Sequence, residues 1–134
     1  MSNRERNIDI LERITGYCLE VKNTQSYFGN SFEVFSTNSI YRNAISLCLL
    51  QIGELSNHLS EEFKERYNEI PWRNIKGLRN IVAHQYESVN TRTLWETVTQ
   101  DVPMLHQYCN GIIENYRVLE QDSIENDNED EYEH

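Results

Sequence analysis

The sequence predicts an all-α fold, an antiparallel bundle of four main helices with one short additional helix. Apolar residues recur at helical intervals along most of its 134 residues. Turn-forming residues cluster in only a few places. No segment alternates apolar and polar residues well enough to read as a strand.

Taken in order, residues 4–22 carry Ile8, Leu11, Ile14 or Thr15, Cys18 and Val21 on one helical face. Residues 23–38, with Gly29, Asn30 and several Ser and Thr, read as a loop holding a short helical turn around Phe32, Val34 and Phe35. Asn38 is a fitting N-cap for a long second helix reaching about Tyr67. That helix is expected to bury Ile40, Ala44, Leu47, Cys48, Ile52, Leu55, Leu59 and Phe63. Pro71 prevents its continuation, and a helix carrying residues 72–84 follows. Residues 85–90 look irregular, and Asn90 can cap the next helix. Pro103 must kink or split that helix, and a split with Asp101 as a fresh cap is expected. The final helix shows a stripe of Leu105, Tyr108, Ile112, Tyr116 and Leu119.

The net charge of −10 is unevenly placed. Residues 119–134 hold eight acidic side chains and no Lys or Arg. Setting those eight aside leaves 14 acidic against 12 basic residues, a net of −2. The expected division is therefore a helical domain over 1–118 and an acidic, disordered tail over 119–134. A sharper reading has the tail screening a basic site as an RNA mimic. No apolar run approaches the roughly 20 residues that span a bilayer. Residues 1–7 lack the apolar stretch of a signal peptide, so no membrane association and a cytoplasmic location are expected. Cys18, Cys48 and Cys109 form no CxxC, and each lies in an apolar pattern, which favours buried, reduced thiols.

The chemistry concentrates in residues 72–86, Trp-Arg-Asn-Ile-Lys-Gly-Leu-Arg-Asn-Ile-Val-Ala-His-Gln-Tyr. Wound as one helix at about 100° per residue, Ile75, Leu78, Ile81 and Val82 share one arc, and Arg73, Lys76, Arg79, Asn80 and His84 the other. An arginine fork neutralises a phosphodiester oxygen through paired hydrogen bonds. A histidine can take a proton from a ribose 2′-hydroxyl or give one to the leaving 5′-oxygen. RNA supplies its own nucleophile, so Arg79 and His84 suffice in kind to cleave it without a metal or cofactor. Asn80 would orient His84 or the phosphate, and Arg73 and Lys76 would steer the RNA backbone. Arg79 and His84 lie five residues apart, about 140° around a helix, and one His cannot be acid and base at once. Two facing copies remove both difficulties, so the arc reads as half of a homodimer's site. Glu54 and His58, spaced i and i+4, could serve as two metal ligands, but an exposed polar pair is the plainer reading. No Gly-rich phosphate loop is present.

The ordered set Ile70-Pro71-Trp72, Gly77-Leu78-Arg79-Asn80, His84-x-Tyr86, Val89-Asn90, Leu94-Trp95 and Asp101-Val102-Pro103-Met104-Leu105, with Gln51-Ile52-Gly53-Glu54, resembles HepT-type toxins of the HEPN superfamily. The resemblance covers residues 5–118. It implies a dimerising helical bundle acting as a metal-independent endoribonuclease, with Arg79 and His84 as the Arg-x4-6-His pair. It also implies a partner, an MNT-type nucleotidyltransferase antitoxin, that silences the toxin by transferring AMP to Tyr86. The competing expectation is a non-catalytic helical subunit that docks substrate or partner for a nucleotidyltransferase.

Overall fold

Ser2 opens the first helix through a capping box: its hydroxyl accepts from the Glu5 amide at 3.1 Å, and the Glu5 carboxylate accepts from the Ser2 amide. The computed structural model describes the backbone of residues 1–84 and 88–132, and the side chains of 1–84 and 91–127. Helix α1 spans Asn3–Phe28 and stops at Gly29, whose φ of 114° suits a residue without Cβ. It therefore runs six residues beyond the expected end at 22. Nothing between Asn23 and Phe28 breaks a helix, and the hydroxyls of Thr24 and Ser26 bond back to carbonyls one turn earlier. The expected short turn is α2, Phe32–Thr37, capped by Ser31. Arg42 closes its far end by donating to the carbonyls of Phe35 and Ser36.

Asn38 caps α3, Ser39–Ser56, by accepting from the Tyr41 amide at 3.1 Å. Two expectations fail on this element. Its buried face is Tyr41, Ile45, Cys48, Leu49, Ile52 and Leu55, whereas Ile40 is 69 % and Leu47 58 % exposed, and Ala44 is half-buried. The segment is apolar on more than one face, so periodicity alone admitted the wrong rotational setting. The helix also does not reach Tyr67. It yields to a turn, and Ser60 caps a separate α4, Glu61–Arg66, through the Phe63 amide. Asn7 of α1 locks that break: its amide donates to the Ser60 hydroxyl and its carbonyl accepts from the Ser60 N–H, both at 3.1 Å. Leu59 and Phe63 are buried as expected.

The single helix expected over 72–84 is two: α5, Trp72–Lys76, and α6, Leu78–Ala83, meeting at Gly77. Helix α7, Ser88–Glu96, begins two residues before Asn90, whose side chain lies outside the described residues. Pro103 does not split the chain there. Thr97–Asp101 form one wide π turn, closed by the Val102 amide on the Thr97 carbonyl, and the backbone passes directly into α8, Val102–Tyr132. Widening the turn accommodates a proline whose ring would otherwise crowd the preceding carbonyls. Asp101 thus lies inside a helical turn, not at a cap.

Helix α1 packs between α3 and α8, while α3 carries α5 and α6 on its flank. On α8, Leu105, Cys109, Ile112 and Ile113 are buried, Tyr108 and Tyr116 half-buried, and Leu119, expected in the stripe, is 54 % exposed. Arg117 holds Glu12 of α1 at 3.0 Å. Past that contact the helix continues through the acidic segment to Tyr132, and residues 119–127 are all exposed. No Gly or Pro follows Gly111 to interrupt it. The three cysteines are buried, and burial pushes each thiol up to about 12. Among the described residues there is no strand, and no helix is long and apolar enough to cross a membrane.

Candidate active site

The site is assembled by the approach of two helices. Gly53 lies in the buried face of α3, and a Cβ there would stand 3.3 Å from the Ile75 carbonyl oxygen and 3.9 Å from the Leu78 Cβ. Its missing side chain lets the α5–α6 corner rest almost on the α3 backbone. The corner is pinned from the other side by Trp72, whose indole N–H donates to the Tyr67 carbonyl at 3.1 Å. Ile75, Leu78 and Val82 then turn into the core. With Leu78 buried against α3, the next residue is turned outward along the seam.

That residue is Arg79. Its guanidinium is 77 % exposed and stands 3.7 Å from the carboxylate of Glu54, itself 53 % exposed, directly after Gly53. Asn80 is exposed, and its backbone N–H donates to the Gly77 carbonyl at 3.0 Å. His84 is exposed at the C-terminal end of α6, its amide donating to the Val82 carbonyl. Arg73 and Lys76 are exposed on α5. Gly77 separates the helix of Arg73 and Lys76 from the helix of Arg79, so the single helix drawn from the sequence is interrupted between them. Tyr86 lies outside the described residues.

Glu54 and His58 are both exposed, as the plainer reading of that pair expects, but Glu54 has a partner the sequence did not indicate. Its spacing to His58 drew attention, whereas its observed ionic partner is Arg79, on another helix. The available signal was the glycine before it, because a Gly inside an apolar helix marks a close backbone approach.

Arg79 and Asn80 are exposed on the six-residue α6, and His84 is exposed at its C-terminal cap. A groove of about 300 Å³ on the other side is lined by Ile75, Leu78 and Ile81 with residues of α7 and α8, and does not include Arg79, Asn80 or His84. The polar surface is therefore open to solvent and not part of an enclosed cavity.

The family described as Ribonuclease HepT-like matches residues 7–112, from the Asn7 tie through the site to the buried part of α8. This chain belongs to that HepT-like family, and so to the HEPN superfamily. Among its relatives, a protein of Caldanaerobacter subterraneus subsp. tengcongensis provisionally named an RNase is 35 % identical over 64 % of this chain and 77 % of its own length. A Methanocaldococcus jannaschii protein, also provisionally named an RNase, is 28 % identical over 87 % of this chain and 91 % of its own. A Thermococcus cleftensis protein provisionally named ribonuclease HepT is 38 % identical over 55 % and 67 %. No solved structure matches the chain.

Proposed function

We propose that this HepT-like protein is the toxin of a HEPN/MNT pair, a metal-independent endoribonuclease acting in the cytoplasm as a homodimer. The observation that carries the reading is the exposed Arg79–Asn80–His84 surface of α6 in a chain whose relatives are named as RNases. His84 exchanges a proton with the 2′-hydroxyl or the 5′-leaving oxygen, and Arg79 stabilises the charge building on phosphorus. Attack by the 2′-hydroxyl leaves a 2′,3′-cyclic phosphate.

Dimerisation is supported by α3. Ile40 and Leu47 form an exposed apolar stripe, and Glu54, seven residues further, continues the same line to the edge of the site. A second copy seated on that stripe would bring two α6 surfaces toward each other. One copy could then supply the acid and the other the base.

An MNT-type nucleotidyltransferase would silence the toxin by placing AMP on Tyr86. The adduct's phosphate would add negative charge two residues from His84 and compete with RNA for Arg79. Co-expression with such an enzyme is expected to add AMP mass to the peptide containing Tyr86, read by mass spectrometry, and Tyr86→Phe to remove the gain.

The deciding experiment incubates the purified protein with RNA in excess chelator. Cleavage to cyclic-phosphate ends, lost in Arg79→Ala and His84→Ala, supports the nuclease. Inertness in every state would leave the docking-subunit reading in its place.

A further inference from the structure

The Glu54 carboxylate stands against the one arginine on which the proposed chemistry depends, and general stability does not account for it. An ion pair this exposed contributes roughly 0–1 kcal/mol. Its placement is nonetheless fixed on both sides. Gly53 sets the separation of α3 and α6 at that point, and Leu78, buried beside Arg79, sets the rotation of α6. Glu54 and Arg79 are the adjacent residues on each helix, so the contact follows from the seam itself.

The geometry points to Glu54 as a positioning residue for the RNA-cleaving reaction, holding Arg79 across the α3–α6 seam with one edge of its guanidinium toward Glu54 and the rest toward the scissile phosphate. This rests on the active-site reading above. At 3.7 Å from Arg79 Nη1 to Glu54 Oε1, the contact is an ion pair rather than a tight hydrogen bond. It biases the direction of a long, otherwise mobile side chain without occupying all of its donors. A guanidinium offers five N–H groups, enough for a carboxylate on one edge and a phosphodiester on another.

Two opposed consequences follow. The carboxylate repels the incoming phosphate and so weakens ground-state binding. By orienting Arg79 it lowers the barrier of the chemical step. Replacing a residue that merely supported the fold would raise KM and lower kcat together, as the site loosened.

The test is steady-state cleavage of an RNA oligonucleotide by the full-length protein in chelator. Glu54→Gln, nearly isosteric and solvent-facing, is expected to lower kcat about tenfold while KM falls or stays level. Glu54→Asp restores the charge but not the reach, so KM should return to the wild-type value with kcat only partly recovered. In an Arg79→Lys background the Gln change should have little further effect, because Glu54 acts through the arginine. A kcat for Glu54→Gln within twofold of wild type would overturn the assignment, as would an undiminished tenfold loss in the Arg79→Lys background. A melting temperature that drops with a rising KM would also overturn it, since that is the structural outcome. Full activity in Arg79→Ala would instead remove the active site itself, which separates the two failures.

Discussion

Arg79 lies in the first turn of α6 and His84 caps its end, and their expected roles differ enough to be told apart by rate. Arg79→Ala removes a preorganised charge at the phosphate and should reduce kcat about 10²- to 10³-fold. His84→Ala removes proton transfer and should cost about 10²- to 10⁴-fold. Quench-flow or gel assays on a defined RNA measure both. Either variant cleaving at the wild-type rate would end the assignment. Arg79 and His84 stood out as candidates in the sequence because their chemistry is local: an Arg, an Asn and a His beside a strongly apolar run. The Glu54–Arg79 contact was not legible, because Gly53 signals a close approach to α3 but not which residue arrives there.

Between elements, the decisive quantity is the closeness of α3 to the α5–α6 corner. Gly53→Val would drive two methyl groups against the Ile75 carbonyl, where even a Cβ stands at 3.3 Å. A cost of about 1–3 kcal/mol in chemical denaturation is expected, together with reduced cleavage as Arg79 moves off Glu54. An equally stable and active Gly53→Val protein would show that the seam tolerates opening. The outer side of α3 makes a separate demand. Leu47→Glu puts a charge in the exposed stripe without touching the core, so helicity by circular dichroism should be kept while light scattering shows monomers and cleavage disappears. An active dimer would exclude this surface. Helix types and most turn positions were readable from periodicity, capping and Pro71. The errors have specific causes. The rotational setting of α3 failed because its apolar residues cover more than one face. The breaks at Ser60 and Gly77 were missed because tertiary contacts decide them, with Asn7 reaching one and α3 pressing on the other. At Pro103 a π turn offered a third course between kink and split.

For the molecule as a whole, α1, α3 and α8 each contribute one cysteine to the interior. The thiols are raised from an ordinary 9 to about 12, by burial first, with Cys18 further raised by Cys109 and Cys48. The folded values exceed the unfolded ones, so the native state keeps protons that the unfolded chain gives up. Stability is therefore unaffected below about pH 9 and declines as pH rises from there toward about 12. Thermal melts at pH 7.5 and 10 should differ in that direction, and the difference should shrink in Cys18→Ala and Cys109→Ala. A melting temperature independent of pH across that range would contradict the burial. Ellman's reagent should likewise react with the three thiols only after denaturant is added.

With every cysteine enclosed, the outside of the protein is expected to resist maleimides and disulfide exchange. One cysteine introduced at Lys76 would then be the sole handle for a photo-crosslinker or fluorophore, and one at Leu47 could couple only to its counterpart on another copy. The native chain thus serves as its own background for mapping where RNA lies and how two copies meet.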